Sequence, residues 1–365
     1  MTDFEIILFL WLVATTLLVW RLPQPWQIDG ISVSTFCFLA LFSPWSCLWL
    51  VCSSLLVLSC MHYSPGKRLT IVVALSLFLI FLCYKGVFAS EIKLLPLPVL
   101  AGISYYTCRH IHVLIELYKA TIVRIPFRQY LQYSFFLPVI FAGPIHRYHN
   151  FQRQCERRRW DPTHLTGGLE RILYGYAKIV VGNYLLNVKL AMLFQSHSGY
   201  GFVDLLVLSV KDWLHLYLQF SGYTDVALGF SLLLGFRLEE NFNNPLLARN
   251  LIDFWQRWHI TLSGWCKDYV FAPIQAATRN QLLAVVCAMI VMGIWHEVSL
   301  YYFLWGIYHA AGIALCRLYQ TNDDPFQLDR LPRLLCVTIT RSATFSWLIA
   351  GKPVVMLILA LAGIS

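Results

Sequence analysis

Five stretches of this chain carry almost no charge: Phe4 to Trp20, Ile31 to Cys60 with an interruption at Ser43-Pro44, Leu69 to Phe88, Leu282 to Trp295 and Leu300 to Leu318. In lipid every backbone N–H and C=O must find its partner inside the protein, so such runs are committed to helices. A spanning helix needs about 20 mostly apolar residues, and several of these runs reach or approach that length. Over 365 residues the chain is 58% hydrophobic and only 13% charged, with a mean hydropathy of +0.61, where ordinary soluble domains carry roughly 25% charged residues. The expectation is an all-α polytopic membrane protein, a single domain over residues 1–365. Counting weaker segments gives about nine to eleven transmembrane and re-entrant helices. The first run follows the acidic Asp3 and Glu5 and has no A-x-A cleavage pattern, so it reads as a retained helix and not a signal peptide. That acidic start, with Arg21 beyond the run, places the N-terminus outside.

The formal net charge of +9 is shared among short connecting segments. This suits anionic lipid headgroups and the positive-inside bias, and no continuous basic face for a nucleic acid is visible. The 11 cysteines are scattered, mostly within apolar runs, without a C-x-x-C pair or a Cys/His spacing suited to zinc. They read as packing residues, and no metal is expected. The densest basic segment, with Arg147, Arg153, Arg157, Arg158 and Arg159, belongs in the cytoplasm by the same bias, and so does Lys119 with Arg124 and Arg128. Between two cytoplasmic flanks, Tyr130 to Ile145 cannot cross once. Pro138, Gly143 and Pro144 interrupt helical hydrogen bonding there, which predicts a kinked hairpin buried in protein.

Against this apolar background, Asp253 to Pro273 (DFWQRWHITLSGWCKDYVFAP) is dense in tryptophan and charge. Polar groups at membrane depth point to function. With Asn250 as N-cap and Pro273 as the stop, the segment is expected to form about six turns of helix. On that helix Ile252, Trp255, Gln256, His259, Leu262, Ser263 and Cys266 share one face, and Asp253, Arg257, Gly264 and Asp268 the opposite one. The second polar feature is GIWHE, Gly293 to Glu297, followed by Tyr301 to Ala310. An imidazole at the end of an apolar run is costly to charge, so His296 is expected to stay neutral near pH 7 and able to accept a proton. Two histidines converging on a membrane-embedded cavity would suit acylation of a hydroxyl by a thioester. By spacing alone, either histidine is equally an interhelical hydrogen-bond partner.

The ordered segments Leu97 to Ala120, Phe135 to Gln154, Phe220 to Pro245, Asp253 to Ile274, GIWHE and FLWGIYHA (Phe303 to Ala310) resemble the membrane-bound O-acyltransferase family. Within it they are closest to the bacterial branch of alginate O-acetylation and teichoic acid D-alanyl transfer proteins. The resemblance covers roughly residues 95–312 and leaves Ser342 to Ser365 without a clear match. It implies a ring of helices around a thin centre with a tunnel joining the two sides of the membrane. His296 falls on the family's essential W-H histidine and is expected to be the general base. His259 falls on the R-W-H histidine and is expected to position donor or acceptor. Trp255, Gln256, Ser263, Asp225, Tyr223, Trp295 and Glu297 are the candidate lining residues. Glu297 stands where the family commonly has glycine, Gln219 where it often has aspartate, and IQAATRN (Ile274 to Asn280) replaces a glycine-rich continuation.

The resulting expectation is an O-acyltransferase of the bacterial inner membrane that binds no cofactor. It would move an acyl group, acetyl, from a cytoplasmic acyl thioester, acetyl-CoA or an acyl carrier protein, to a hydroxyl of an extracytoplasmic polysaccharide or of a partner acetyltransferase. The Arg147 to Arg159 segment is a candidate docking surface for the donor, with ordinary positive-inside topology as the plainer reading. The rival is a non-catalytic transporter or flippase for a lipid-linked sugar, or an export-complex subunit. His146 and His149 are expected to be exposed or partner-contacting rather than catalytic, His309 structural, and Glu239 to Asn241 a loop.

Overall fold

The computed structural model of the chain describes residues 3–63, 66–89, 100–189, 202–321 and 333–362. The first residues of the Leu97 to Ala120 segment lie outside them. The described residues are mostly helical, with one isolated antiparallel bridge between Phe242 and Trp258 among them. The helices are α1 (Asp3–Val19), α2 (Gln27–Phe42), α3 (Pro44–Tyr63), α4 (Lys67–Ala89), α5 (Ile103–Tyr118), α6 (Phe127–Ser134), α7 (Tyr148–Arg157), α8 (Pro162–Val181), α9 (Phe202–Leu233), α10 (Leu251–Trp255), α11 (Ile260–Cys266), α12 (Ala272–Thr278), α13 (Gln281–His296), α14 (Leu300–Thr321) and α15 (Arg333–Leu361).

Among the described residues three helical stretches, Pro44–Tyr63, Lys67–Gly86 and Leu335–Leu361, are long and apolar enough to cross a membrane. Their apolar side chains do not all turn inward: Leu48, Leu55, Val72, Leu79, Leu357 and Ile358 are exposed. Apolar side chains left exposed along helices of this length mark faces made for lipid. The interruption at Ser43-Pro44 separates α2 from α3. Ser43 leaves the helical region, and Pro44 begins the next helix, where its missing N–H costs nothing.

The chain forms two compact units. One comprises Met1–Ala177 with Gly222–Glu239, the other Lys178–Ser221 with Glu240–Ser365. In the first, Val57, Tyr130, Tyr133, Phe136, Phe151 and Phe236 belong to one buried cluster. The segment after α6 is broken, as its prolines predict: Phe135 leaves the helix, a short 3₁₀ turn spans Leu137–Val139, and Gly143 takes φ of +118°. Within it Leu137 N–H donates to Thr35 Oγ1 (3.0 Å), and the His146 carbonyl accepts from the Tyr133 hydroxyl (2.9 Å).

Two expectations for the basic segment are corrected here. His146 is not exposed but 1% accessible, packed against Tyr133, Phe136 and Phe151, because the broken segment folds back under α7. Arg158 is not available for docking. Its Nε donates to the Leu234 carbonyl (2.7 Å), its Nη1 to Gln27, and its guanidinium lies 4.0 Å from the Trp20 ring centroid. His149 is exposed, as expected.

Candidate active site

The site is built on the second unit, beginning with a cap. Asn250 Oδ1 accepts from Asp253 N–H (2.8 Å), which starts α10 as the sequence predicts. The Asp253 carboxylate accepts from Arg249 N–H (3.0 Å), Arg249 Nε (3.3 Å) and Arg257 Nε (2.8 Å). Burial alone would raise this carboxyl's pKa; the arginine hydrogen bonds outweigh it and hold the group below its ordinary range.

The expected six-turn helix does not form. After Trp255 the chain turns, and His259 adopts φ +44° and ψ +49°, the left-handed region that costs an ordinary residue about 1–2 kcal/mol. Partners from an earlier segment replace the helical bonds. Asn243 N–H donates to the Arg257 carbonyl (3.0 Å), Ile260 N–H to the Asn241 carbonyl (2.9 Å), and the Thr261 hydroxyl to Asn241 Oδ1 (2.6 Å). The helix resumes as α11, continues through a π-helical stretch Lys267–Phe271, and enters α12 with Pro273 in its first turn. Pro273 therefore opens a helix where it was expected to close one.

That break redistributes the predicted face. Ile252, Trp255, Gln256, Ser263 and Cys266 line a cavity of about 430 Å³ that includes neither His259 nor His296. His259 is instead 1% exposed, its ring centroid 4.6 Å from Phe220, 5.6 Å from Trp295 and 6.5 Å from His296. Neither of its ring nitrogens has a hydrogen-bond partner among the described residues.

His296 is placed by two glycines. A Cβ on Gly293 would lie 2.2 Å from the Tyr302 carbonyl oxygen, and one on Gly306 2.7 Å from that of Met289. The backbones of α13 and α14 therefore meet directly, as small residues allow in membrane helices. At that crossing α13 ends. The His296 ring lies 5.7 Å from Tyr302, nearly parallel to it, and 5.8 Å from Trp305, and Glu297 follows in extended, exposed backbone.

His296 faces a cavity of about 510 Å³. Its walls are Asp212, Trp213 and Phe220 of α9, Phe254, Trp255 and Trp258 around the turn, Tyr301, Tyr302, Trp305 and His309 of α14, and Leu348, Ile349, Lys352 and Met356 of α15. Trp213 stacks on Trp258 at 5.6 Å, fixing the aromatic wall. His309 was expected to be structural. It is buried, 4.4 Å from Trp305 and 5.4 Å from Trp255, and also lines this cavity. Its spacing of four residues from Trp305 was the available signal, since both then share a helical face. No motif announced the α15 wall.

Of the predicted lining residues, Trp255 lines both cavities, and Trp295 packs 5.6 Å from His259 and 5.0 Å from His296. Tyr223 and Asp225 belong to the first unit. There the Tyr223 hydroxyl donates to Glu5 beside a cavity of about 330 Å³, and Asp225 accepts from Arg171 Nε at 2.9 Å. Among the described residues no group of three or more His, Cys, Asp or Glu side chains is arranged to hold a metal ion.

The family model of the membrane-bound O-acyltransferases matches residues 31–358. A teichoic acid D-alanyltransferase of Bacillus subtilis is 28% identical over 273 residues, covering 69% of this chain and 69% of that protein. "Probable alginate O-acetylase" of Pseudomonas aeruginosa is 30% identical over 243 residues, 63% of this chain and 45% of its own length. A peptidoglycan O-acetyltransferase of Helicobacter pylori is 26% identical over 291 residues, 71% and 54% respectively. The chain thus spans about half the length of the latter two.

Proposed function

Because this chain belongs to the membrane-bound O-acyltransferase family, we propose that it transfers an acyl group, acetyl, from a thioester to a hydroxyl, with His296 as the general base. One observation carries the reading. His296 lines a cavity of about 510 Å³ walled by aromatic rings, with a second imidazole, His259, 6.5 Å from its own. Aromatic rings around the reacting groups disfavour competing hydrolysis of the thioester.

The hydroxyl oxygen attacks the thioester carbonyl carbon as His296 takes its proton. The tetrahedral adduct collapses with cleavage of the C–S bond, and the leaving thiolate recovers the proton from the imidazolium. His259 acts through position: held in strained backbone, with Trp295 packed against both imidazoles, it fixes the orientation of the His296 side of the cavity. Glu297, exposed at the end of α13, lies outside this step.

The donor is a cytoplasmic acetyl-CoA or acyl carrier protein thioester, and the acceptor an extracytoplasmic polysaccharide hydroxyl, reached directly or through a partner acetyltransferase. The relatives named for O-acetylation of alginate and of peptidoglycan support acetyl and a polymer acceptor. The membrane is then the bacterial inner membrane, where such a donor and acceptor lie on opposite sides. The test is incubation of the purified chain with acyl-labelled thioesters and polysaccharide acceptors. Label appearing as a base-labile ester supports the reading; a folded protein that moves acceptor between vesicle compartments without forming ester contradicts it.

A further inference from the structure

The cavity that His296 faces carries one feature the proposed transfer step does not use. Lys352 lies in α15, within the stretch Leu335–Leu361 that is long and apolar enough to cross a membrane. It shares a helical face with Leu348 and Met356, and all three line the cavity. An ionised side chain on such a helix is expensive unless it is paired or does work in a cavity. Here the pairing does not use up the charge. Lys352 Nζ is 2.9 Å from Asp212 Oδ2, and Lys211 Nζ is 2.9 Å from Asp212 Oδ1. Two ammonium groups share one carboxylate, and Asp212 is the single acidic side chain among the described residues lining the cavity. The cluster keeps a net positive charge. Lys211 is mostly covered, whereas the Lys352 side chain is 60% exposed, so the surplus charge is presented at Lys352.

We propose that Lys352 is the contact for an anionic group, carboxylate or phosphate, on a substrate seated in this cavity, with Asp212 holding the ammonium in place. The inference rests on the reading of the cavity as a substrate site and adds to it the charge of what enters. An anion entering beside Trp213, Trp305 and Leu348 loses part of its hydration, and charge-assisted hydrogen bonds to lysine offset that loss. A neutral substrate would gain nothing from a lysine there. Two sources share the chemistry: a phosphate on the acyl donor or an acid group on the acceptor.

The experiment measures binding to the purified full chain in neutral detergent through its tryptophan fluorescence, without any turnover. Two probe pairs differ in the presence of the anionic group: acetyl-phosphopantetheine against acetyl-pantetheine, and a hexuronate oligosaccharide against its carboxyl-reduced counterpart. The wild type is expected to bind the anionic member of one pair at least about tenfold more tightly, the pair identifying the source. Lys352→Gln should reduce that preference to about twofold or less, and Lys352→Arg should retain it. Raising salt from about 50 to about 500 mM should weaken the anionic probe alone in the wild type, a reading that needs no variant. No preference in either pair, a preference surviving Lys352→Gln, or a salt-independent preference overturns the proposal. Because binding is read without turnover, loss of the base role for His296 would leave this result interpretable.

Discussion

His259 and Asp253 carry the most informative chemistry at the scale of single residues. His259 holds φ of +44°, a conformation asparagine tolerates better than alanine. His259→Asn is therefore expected to be more stable than His259→Ala by about 1 kcal/mol in thermal unfolding, while both lose transfer. Equal stabilities would remove backbone strain from the account. Asp253 anchors the same turn through Arg249 and Arg257, which hold its folded-state pKa down against the upward pull of burial. A depressed carboxyl pKa contributes stability above the unfolded value, about 3.9 for aspartate, and that contribution is lost as pH falls through the folded value. Asp253→Asn should thus melt lower than wild type at pH 7, and the gap should narrow below about pH 4. A gap unchanged across that range would contradict the pairing. The Asp253 cap and its pairing with Arg257 on one helical face were legible in sequence, whereas the His259 turn was not. Gln256, Arg257 and Trp258 are ordinary helix residues with no glycine or proline among them, and the turn is dictated by hydrogen bonds from Asn241 and Asn243, remote in the chain.

Helices were read more surely than their joints. Unbroken apolar runs gave α1 to α4, α13 and α14 close to their bounds, because burial of a whole run in lipid or protein leaves few alternatives to a helix. Ser43-Pro44 and the prolines after α6 fixed breaks locally. The mistakes arose where tertiary contact decides: His146 sits in a polar, basic stretch yet is covered by Tyr133, Phe136 and Phe151. The α13–α14 crossing is the element on which the site depends most. Methyl groups at Gly293 or Gly306 would collide with backbone, not with flexible side chains, so the helices must separate. Gly293→Ala or Gly306→Ala is expected to cost about 1–3 kcal/mol and to lower transfer by shifting His296 away from Tyr302 and Trp305. Wild-type turnover in either variant would show that the crossing does not set the site.

For the molecule as a whole, sequence motifs located two histidines, and the fold supplied their setting. His296, His309 and the aromatic wall come together from α9, the α10 turn, the α13–α14 pair and α15, spread over residues 209–356. The α15 wall escaped the sequence reading because Leu348, Ile349 and Met356 look like any apolar helix; the lone lysine among them was the available sign. The proposed transfer makes a single demand on His296, which lines this cavity, that its imidazole accept the hydroxyl proton. The direct test compares purified wild type with His296→Ala in transfer from a labelled acetyl thioester, monitoring thermal unfolding alongside. Loss of the base should slow transfer about 100 to 10,000-fold with the unfolding transition retained; undiminished transfer by a well-folded His296→Ala protein would contradict the account.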